Sequence, residues 1–212
     1  MKNNIKTVYM AVLAIMVWFG LILQFYISTE KYVAEGRSLF GAIIQIISYF
    51  TIETNLLIAI ALTAILLAPR SSWGKFFSRI SVLAAINVYI LIVGIVYALV
   101  LKGIWKLEGL FKLTDTLLHT ISPVLFVLFW LFFVPKGHIK WNQIFLWAIF
   151  PLAYLGYSLI RGPISGDYPY PFINADKLGY GQVAINSVFV LLAFLAISAC
   201  LIFISRLFKK TE

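Results

Sequence analysis

Two apolar stretches of this chain contain polar residues of the types that form a nucleophile and its base. Thr51, Thr54 and Asn55 interrupt one stretch, and Asp115 and His119 begin the other. Such side chains are costly in hydrocarbon, so within a membrane span they face the protein interior and often mark a working site. A threonine hydroxyl becomes an effective nucleophile when an adjacent base takes its proton. The two clusters therefore predict a nucleophile and a base that meet inside a membrane.

The first cluster has helical spacing. At about 100° per residue, four side chains fall on one helical face: Ser48, Thr51, Thr54 and Asn55. The alternative is a packing role, because Ser, Thr and Asn often join transmembrane helices by hydrogen bonds. Glu53 points away from this face, and we expect it to pair with Arg161 or a tyrosine, or to remain protonated.

The second cluster places Asp115, His119 and Ser122 on one face, at positions i, i+4 and i+7. A carboxylate one turn from a histidine can accept its ring N–H and so fix the tautomer. Pro123 follows one turn later, where it frees a main-chain carbonyl and can kink the helix. The alternative is a structural histidine. The only other histidine in the sequence, His138, lies in the loop that follows this span, on the opposite side. No cluster has the spacing of metal ligands, so we expect no metal and no cofactor.

A proline-rich and glycine-rich segment between the last two spans, residues 161–174, predicts an irregular loop. Its aromatic residues, among them Tyr170, predict a lid over a cavity, and Arg161 and Asn186 add polar groups near the same depth. An ordinary interfacial loop is the alternative.

The elements that must position these residues are membrane spans. Hydrophobic residues make up 62% of the 212 residues, charged residues 12%, and the mean hydropathy is +0.98. Soluble domains carry about 25% charged residues. Six windows are long enough to cross a bilayer: Val8–Ile27, Gly41–Leu67, Ile80–Leu101, Leu113–Val134, Trp141–Ile160 and Gln182–Ile204. We predict an all-α membrane protein with one domain, residues 1–212, folded as a single bundle of six transmembrane helices.

The distribution of basic residues indicates an orientation. Ten of the 17 Lys and Arg residues lie in the termini and the two loops on the same side: Lys2, Lys6, Arg70, Lys75, Arg79, Lys136, Lys140, Arg206, Lys209 and Lys210. The positive-inside rule therefore predicts two cytoplasmic termini. The net charge is +9, and the basic residues flank the apolar spans. We therefore expect membrane lipids as partners and no nucleic acid. The sequence does not indicate an oligomeric state.

Short motifs in these spans resemble a known family. Tyr49-Phe50-Thr51 with Asn55, and His119-Thr120 with Pro123, are similar to the androgen-induced-gene family of integral membrane hydrolases. Asp115 and the Tyr-Pro-Tyr-Pro-Phe-Ile-Asn segment at 168–174 look like its bacterial six-span branch. The resemblance implies a threonine hydrolase of the bacterial plasma membrane that cleaves fatty acid esters of hydroxy fatty acids or similar lipid esters.

The resemblance also implies roles for individual residues. His119 would be the base and Thr51 the nucleophile, with Thr54 as a competitor because the spacing to the following asparagine differs by one residue from the animal pattern. Asp115 would orient the histidine. Asn55, Asn186 or a backbone N–H near Pro123 would stabilise the oxyanion, in a site that opens to the outer leaflet.

A second hypothesis is a small transporter, channel or ligand-binding membrane protein. In that case a proton or ligand relay would consist of Glu53, Asp115, His119 and Arg161. The polar residues concentrate toward one side of the spans, which favours the hydrolase.

Overall fold

The computed structural model describes residues 2–137 and 139–208, so His138, Lys209 and Lys210 lie outside the described residues. Within these ranges the secondary structure is helical. Nine α-helices follow in order: α1 Lys2–Ala34, α2 Leu39–Ile47, α3 Phe50–Leu67, α4 Ser72–Phe77, α5 Ile80–Val96, α6 Gly109–Thr116, α7 Ser122–Phe133, α8 Gln143–Ser165 and α9 Ala175–Leu207. Two π-helical segments, π1 Tyr97–Leu101 and π2 Leu117–Ile121, extend α5 and join α6 to α7.

In the part of the chain that the structure describes, six helical segments are long and apolar enough to cross a membrane. They are Asn4–Ala34, Phe50–Leu67, Ile80–Leu101, Gly109–Phe133, Gln143–Ser165 and Ala175–Leu207. This confirms the predicted all-α class with six membrane-spanning helices. The protein is therefore a multi-pass membrane protein by length and composition, and the cytoplasmic location of the termini stays a prediction.

The second span is not the continuous helix Gly41–Leu67 that the hydropathy predicts, and this boundary was wrong. α2 ends at Ile47, and Tyr49 has an extended backbone (φ −88°, ψ 124°) before α3 begins at Phe50. At the end of α2 the Ile44 carbonyl accepts from both the Ser48 N–H at 3.0 Å and the Ser48 hydroxyl at 2.6 Å. As a consequence, Thr51 lies in the first turn of α3 and not in the middle of a long helix.

The predicted loop after the fifth span was also wrong in its first residues. α8 continues through Arg161 and Pro163 to Ser165 and ends at Gly166 (φ 70°). A single short 3₁₀ turn, Pro171–Ile173, precedes α9, which begins at Ala175 and is kinked at Gly179. Pro163 has no N–H, so within the last turn of α8 it cannot donate to the Leu159 carbonyl.

The chain divides into two compact units, Met1–Lys136 and Gly137–Glu212. The predicted single bundle stays a prediction. In the first unit α1 packs against α3 and α7, while α5 packs between α3 and α7. Large buried side chains fill this core, including Leu13, Ile58, Ile90, Phe126 and Trp130. In the second unit α8 packs against α9.

Gly94 of α5 allows a close approach to the fourth span. A Cβ atom at this position would lie 3.3 Å from the Pro123 Cβ and 3.7 Å from the His119 carbonyl oxygen. The absence of a side chain at residue 94 therefore brings α5 directly against the turn that carries His119.

Candidate active site

A threonine hydroxyl and a histidine ring meet between the second and fourth spans. The Thr51 Oγ1 lies 3.1 Å from the His119 Nε2, which is hydrogen-bond distance. Thr51 lies in the first turn of α3 and is 5% exposed, and the His119 side chain in π2 is 20% exposed. The pair is therefore largely enclosed by protein, while the histidine keeps an accessible edge.

The other ring nitrogen of His119 faces two oxygen atoms of Asp115. Nδ1 lies 3.0 Å from the carboxylate Oδ1 and 3.2 Å from the main-chain carbonyl of the same residue. A carbonyl oxygen can only accept, so in the neutral ring Nδ1 carries the proton. Nε2 is then an acceptor, and the Thr51 hydroxyl donates to it. This is the tautomer that a general base needs.

Tyr97, which the sequence pattern did not predict, completes the cluster. Its hydroxyl donates to Asp115 Oδ2, and its ring stacks on the His119 ring with a centroid distance of 4.5 Å and an interplanar angle of 20°. Each oxygen of the Asp115 carboxylate thus has its own donor. The available signal was a tyrosine near the end of the third span, but its partner becomes visible only when the third and fourth spans are packed together.

Both rings of the stacked pair lie on π-helical segments. Tyr97 is the first residue of π1 and His119 is the third residue of π2. Single π turns within α-helices are rare and occur frequently at functional sites, because the extra residue per turn re-aims the side chains. In π2 the Ser122 N–H bonds to the Leu117 carbonyl, five residues back.

Two other hydroxyls of the predicted faces, those of Thr54 and Ser122, make no hydrogen bond to His119. Thr54 and Ser122 are fully buried, and their hydroxyl oxygens have no hydrogen-bond partner within residues 2–137 and 139–208. Ser48 caps α2, as described above. The sequence left Thr51 and Thr54 open as the nucleophile. In the structure the Thr51 hydroxyl is the one that faces the histidine.

Asn55 is committed to main-chain acceptors. Its Nδ2 donates to the Thr51 carbonyl at 2.8 Å and to the Leu118 carbonyl at 3.1 Å. The residue is fully buried. Both amide protons are therefore used, so the Asn55 amide is not arranged as the oxyanion donor that the sequence suggested.

Glu53 is half-buried on α3, and its main-chain N–H donates to the Tyr49 carbonyl at 3.1 Å. Within residues 2–136 its carboxylate has neither a hydrogen bond nor an ion pair. Within residues 2–136 no tyrosine bonds to the Glu53 carboxylate, and the pairing with Arg161 stays a prediction. Of the four residues in the relay hypothesis, Asp115 and His119 are in contact, and Glu53 makes no bond to either.

The remaining predicted residues lie in the second unit, where their contacts organise the segment 166–174. Arg161 Nη1 donates to the Asp167 carbonyl at 3.0 Å, and Asn186 Nδ2 donates to the Phe172 carbonyl at 2.8 Å. The buried Tyr170 ring stacks on Phe172 at 5.4 Å. These contacts hold the loop in an ordered conformation beside α8 and α9.

The described ranges hold no group of three or more His, Cys, Asp or Glu side chains arranged to bind a metal ion. Comparison of the chain with protein-family models, with curated proteins and with solved structures finds no match.

Proposed function

We propose that this chain is an integral membrane hydrolase that cleaves acyl esters with Thr51 as nucleophile and His119 as general base. One observation carries the proposal: the Thr51 Oγ1 lies 3.1 Å from the His119 Nε2, while the Asp115 carboxylate holds Nδ1 on the other side of the ring. A nucleophile, a base and an orienting carboxylate in this order are the signature of activated hydroxyl catalysis.

The reaction would proceed in two acyl transfers. His119 Nε2 takes the hydroxyl proton while Thr51 Oγ1 attacks the ester carbonyl carbon. The tetrahedral intermediate collapses, the C–O bond to the alcohol breaks, and the imidazolium returns its proton to the leaving oxygen. A water molecule then attacks the acyl-threonine with His119 again as base, which releases the carboxylic acid and restores the hydroxyl.

Asp115 and Tyr97 would support the charge that develops on His119. The carboxylate faces Nδ1 and stabilises the imidazolium, and the Tyr97 hydroxyl fixes the second oxygen of that carboxylate. The position of Thr51 at the N-terminal end of α3 also favours the reaction, because the helix dipole stabilises negative charge that develops beside the first turn.

We propose lipid esters as the substrate class. The helices that carry the pair are long, apolar and membrane-spanning, so a substrate with an acyl chain can reach them laterally from the bilayer. The resemblance to the androgen-induced-gene family points to fatty acid esters of hydroxy fatty acids. In the same proposal the protein lies in a bacterial plasma membrane with cytoplasmic termini, and the site opens to the outer leaflet.

Covalent labelling tests the proposal directly. The purified protein in lipid nanodiscs is treated with a long-chain alkyl fluorophosphonate, and the adduct is located by mass spectrometry. We expect labelling at Thr51, loss of labelling in Thr51→Ala and His119→Ala, and unchanged labelling in the matched control Thr54→Ala. Labelling that persists in Thr51→Ala at the same rate rejects Thr51 as the nucleophile.

A further inference from the structure

In the turn that carries His119, the Leu118 carbonyl lacks a donor from residues 122 and 123 of the main chain. In an α-helix the Leu118 oxygen would accept from residue 122, and in a π-helix it would accept from residue 123. The Ser122 N–H bonds to the Leu117 carbonyl, and residue 123 is a proline, which has no N–H. Neither main-chain donor therefore reaches Leu118.

The side chain of Asn55 occupies the place of that donor. Its Nδ2 lies 3.1 Å from the Leu118 oxygen, and its second amide proton goes to the Thr51 carbonyl at 2.8 Å. We propose that Asn55 is a positioning residue that replaces the missing N–H of Pro123 and thereby holds π2 against the first turns of α3. One side chain thus links the carbonyl next to His119 with the carbonyl of Thr51.

The Leu118 carbonyl depends on the Asn55 amide because both groups are buried. Asn55 is fully buried and Leu118 is 2% exposed, so water does not substitute for a lost donor at the Leu118 carbonyl. An unpaired backbone group in an apolar environment is costly, and the turn will rearrange to recover a donor. His119 follows Leu118 directly, so a rotation of this peptide moves the imidazole away from Thr51. Gly94 packs against Pro123 and limits the alternative positions of the turn.

This role differs in a testable way from direct stabilisation of an oxyanion. If Asn55 donated to the reacting oxygen, a new main-chain N–H at residue 123 would not compensate for its loss. If Asn55 substitutes for the N–H of residue 123, restoring that N–H compensates for its loss. The inference rests on the proposed function for its effect on turnover, but its structural effect on His119 is measured independently of catalysis.

The test is a rescue experiment in lipid nanodiscs. Asn55→Leu removes both donors at similar volume, and Asn55→Leu/Pro123→Ala returns a main-chain N–H to residue 123. Asn87→Leu is the matched control, because Asn87 is also a fully buried asparagine on a helix of the same unit. We expect Asn55→Leu to lower kcat by about 100-fold with little change in KM, as a misplacement of about 1 Å does. The double variant recovers most of the loss, and the control keeps wild-type turnover.

Histidine ¹⁵N NMR gives the second readout. The wild-type protein is expected to show the Nδ1–H tautomer for His119, Asn55→Leu a mixture of tautomers, and the double variant the wild-type state. A His138→Gln variant assigns the two histidine signals. If Asn55→Leu alone does not fold, the double variant is expected to restore folding. Three outcomes would overturn the proposal. In the first, Asn55→Leu keeps the wild-type tautomer and turnover. In the second, it folds but is not rescued by Pro123→Ala. In the third outcome, neither Asn55 variant folds while Asn87→Leu does.

The two proposals fail in different ways. If Thr51→Ala and His119→Ala hydrolyse esters normally, the proposed function is rejected, yet the tautomer measurement still decides the role of Asn55. If instead Asn55→Leu leaves the tautomer unchanged while Thr51→Ala abolishes turnover, the function stands and the positioning role is rejected.

Discussion

Thr51 and His119 are separated by 68 positions in the sequence, and their side-chain atoms lie 3.1 Å apart. The contact exists because α3 begins inside the apolar stretch of the second span and because the fourth span changes to a π-helix around the histidine. Both departures from a regular helix occur at the residues that would do the chemistry, which is where local rules of helix formation are commonly broken.

The first prediction concerns the choice between the two threonines. We expect Thr51→Ala to lower kcat for a long-chain ester by at least about 10³-fold, since the hydroxyl that faces the base is lost. Thr54→Ala is expected to stay within about tenfold of wild type, because it removes a buried hydroxyl that does not contact His119. Steady-state hydrolysis in nanodiscs measures both. Equal losses in the two variants would contradict the assignment.

The second prediction concerns Asp115. In Asp115→Asn the carboxamide can donate to Nδ1, which favours the ring tautomer with its proton on Nε2 and removes the base. We expect a loss in kcat of about 10³–10⁴-fold with KM nearly unchanged, as for the orienting carboxylate of other hydroxyl nucleophiles. The ¹⁵N shifts of His119 report the tautomer directly. An Nδ1–H tautomer in the variant, together with full activity, would show that Asp115 does not orient the ring.

The third prediction separates the two contacts of Tyr97. Tyr97→Phe removes the hydrogen bond to Asp115 Oδ2 and keeps the stacked ring, whereas Tyr97→Leu removes both. We expect Tyr97→Phe to lower kcat by about tenfold, which corresponds to about 1.4 kcal/mol and is typical of one charge-assisted hydrogen bond. Tyr97→Leu is expected to lose more, because the imidazole is then free to turn. Identical kinetics for the two variants would assign no role to the stacked ring.

The sequence predicted the six spans and the spacing of Asp115 and His119. Hydropathy located six spans, and helical spacing placed Asp115 and His119 on one face, where the structure holds them 3.0 Å apart. The break at Ser48 and Tyr49 could not be predicted, because the hydropathy remains high across it. Tyr97 was missed for a different reason. Its role depends on the packing of the third span against the fourth, and sequence periodicity contains no information about which spans are neighbours.

For Asn55, the residue type suggests one role and the hydrogen bonds in the structure indicate another. An amide one turn from a nucleophile suggests an oxyanion donor, and the residue does lie beside the pair. The structure uses both amide protons for carbonyls, one of which lacks a donor because of the proline at 123. The sequence contains both Asn55 and Pro123, but their relationship arises only when π2 shifts the register of the main-chain hydrogen bonds.

The fourth prediction tests the packing that supports the site. Gly94→Val would bring a branched side chain against Pro123, since a Cβ alone already lies 3.3 Å from the proline Cβ. We expect destabilisation of about 1–3 kcal/mol from overpacking and a parallel loss of activity. Gly156→Val is the control, because a Cβ at Gly156 meets no atom within 4 Å. Thermal unfolding in detergent measures both, and an equal change in Tm for the two variants would refute a specific role for Gly94.

The fifth prediction concerns Lys136, which follows the fourth span. Its ammonium donates to the Trp130 and Val134 carbonyls and lies 3.9 Å from the centroid of the Trp130 ring. Burial lowers the pKa of this ammonium from 10.5 to about 8. Because the unfolded chain then binds more protons between these two values, stability is expected to rise as the pH increases from about 8 to 10. In Lys136→Met this contribution disappears.

The measurement is the Tm of the wild type and of Lys136→Met at a series of pH values between 7 and 10, in the same detergent. All other titrating groups are shared, so the difference between the two curves isolates Lys136. The difference, wild type minus variant, is expected to be constant below about pH 8 and to increase above it, because only the wild-type protein loses a buried charge there. A difference that decreases above pH 8 would mean that the contacts with Trp130 stabilise the charged form by more than burial disfavours it.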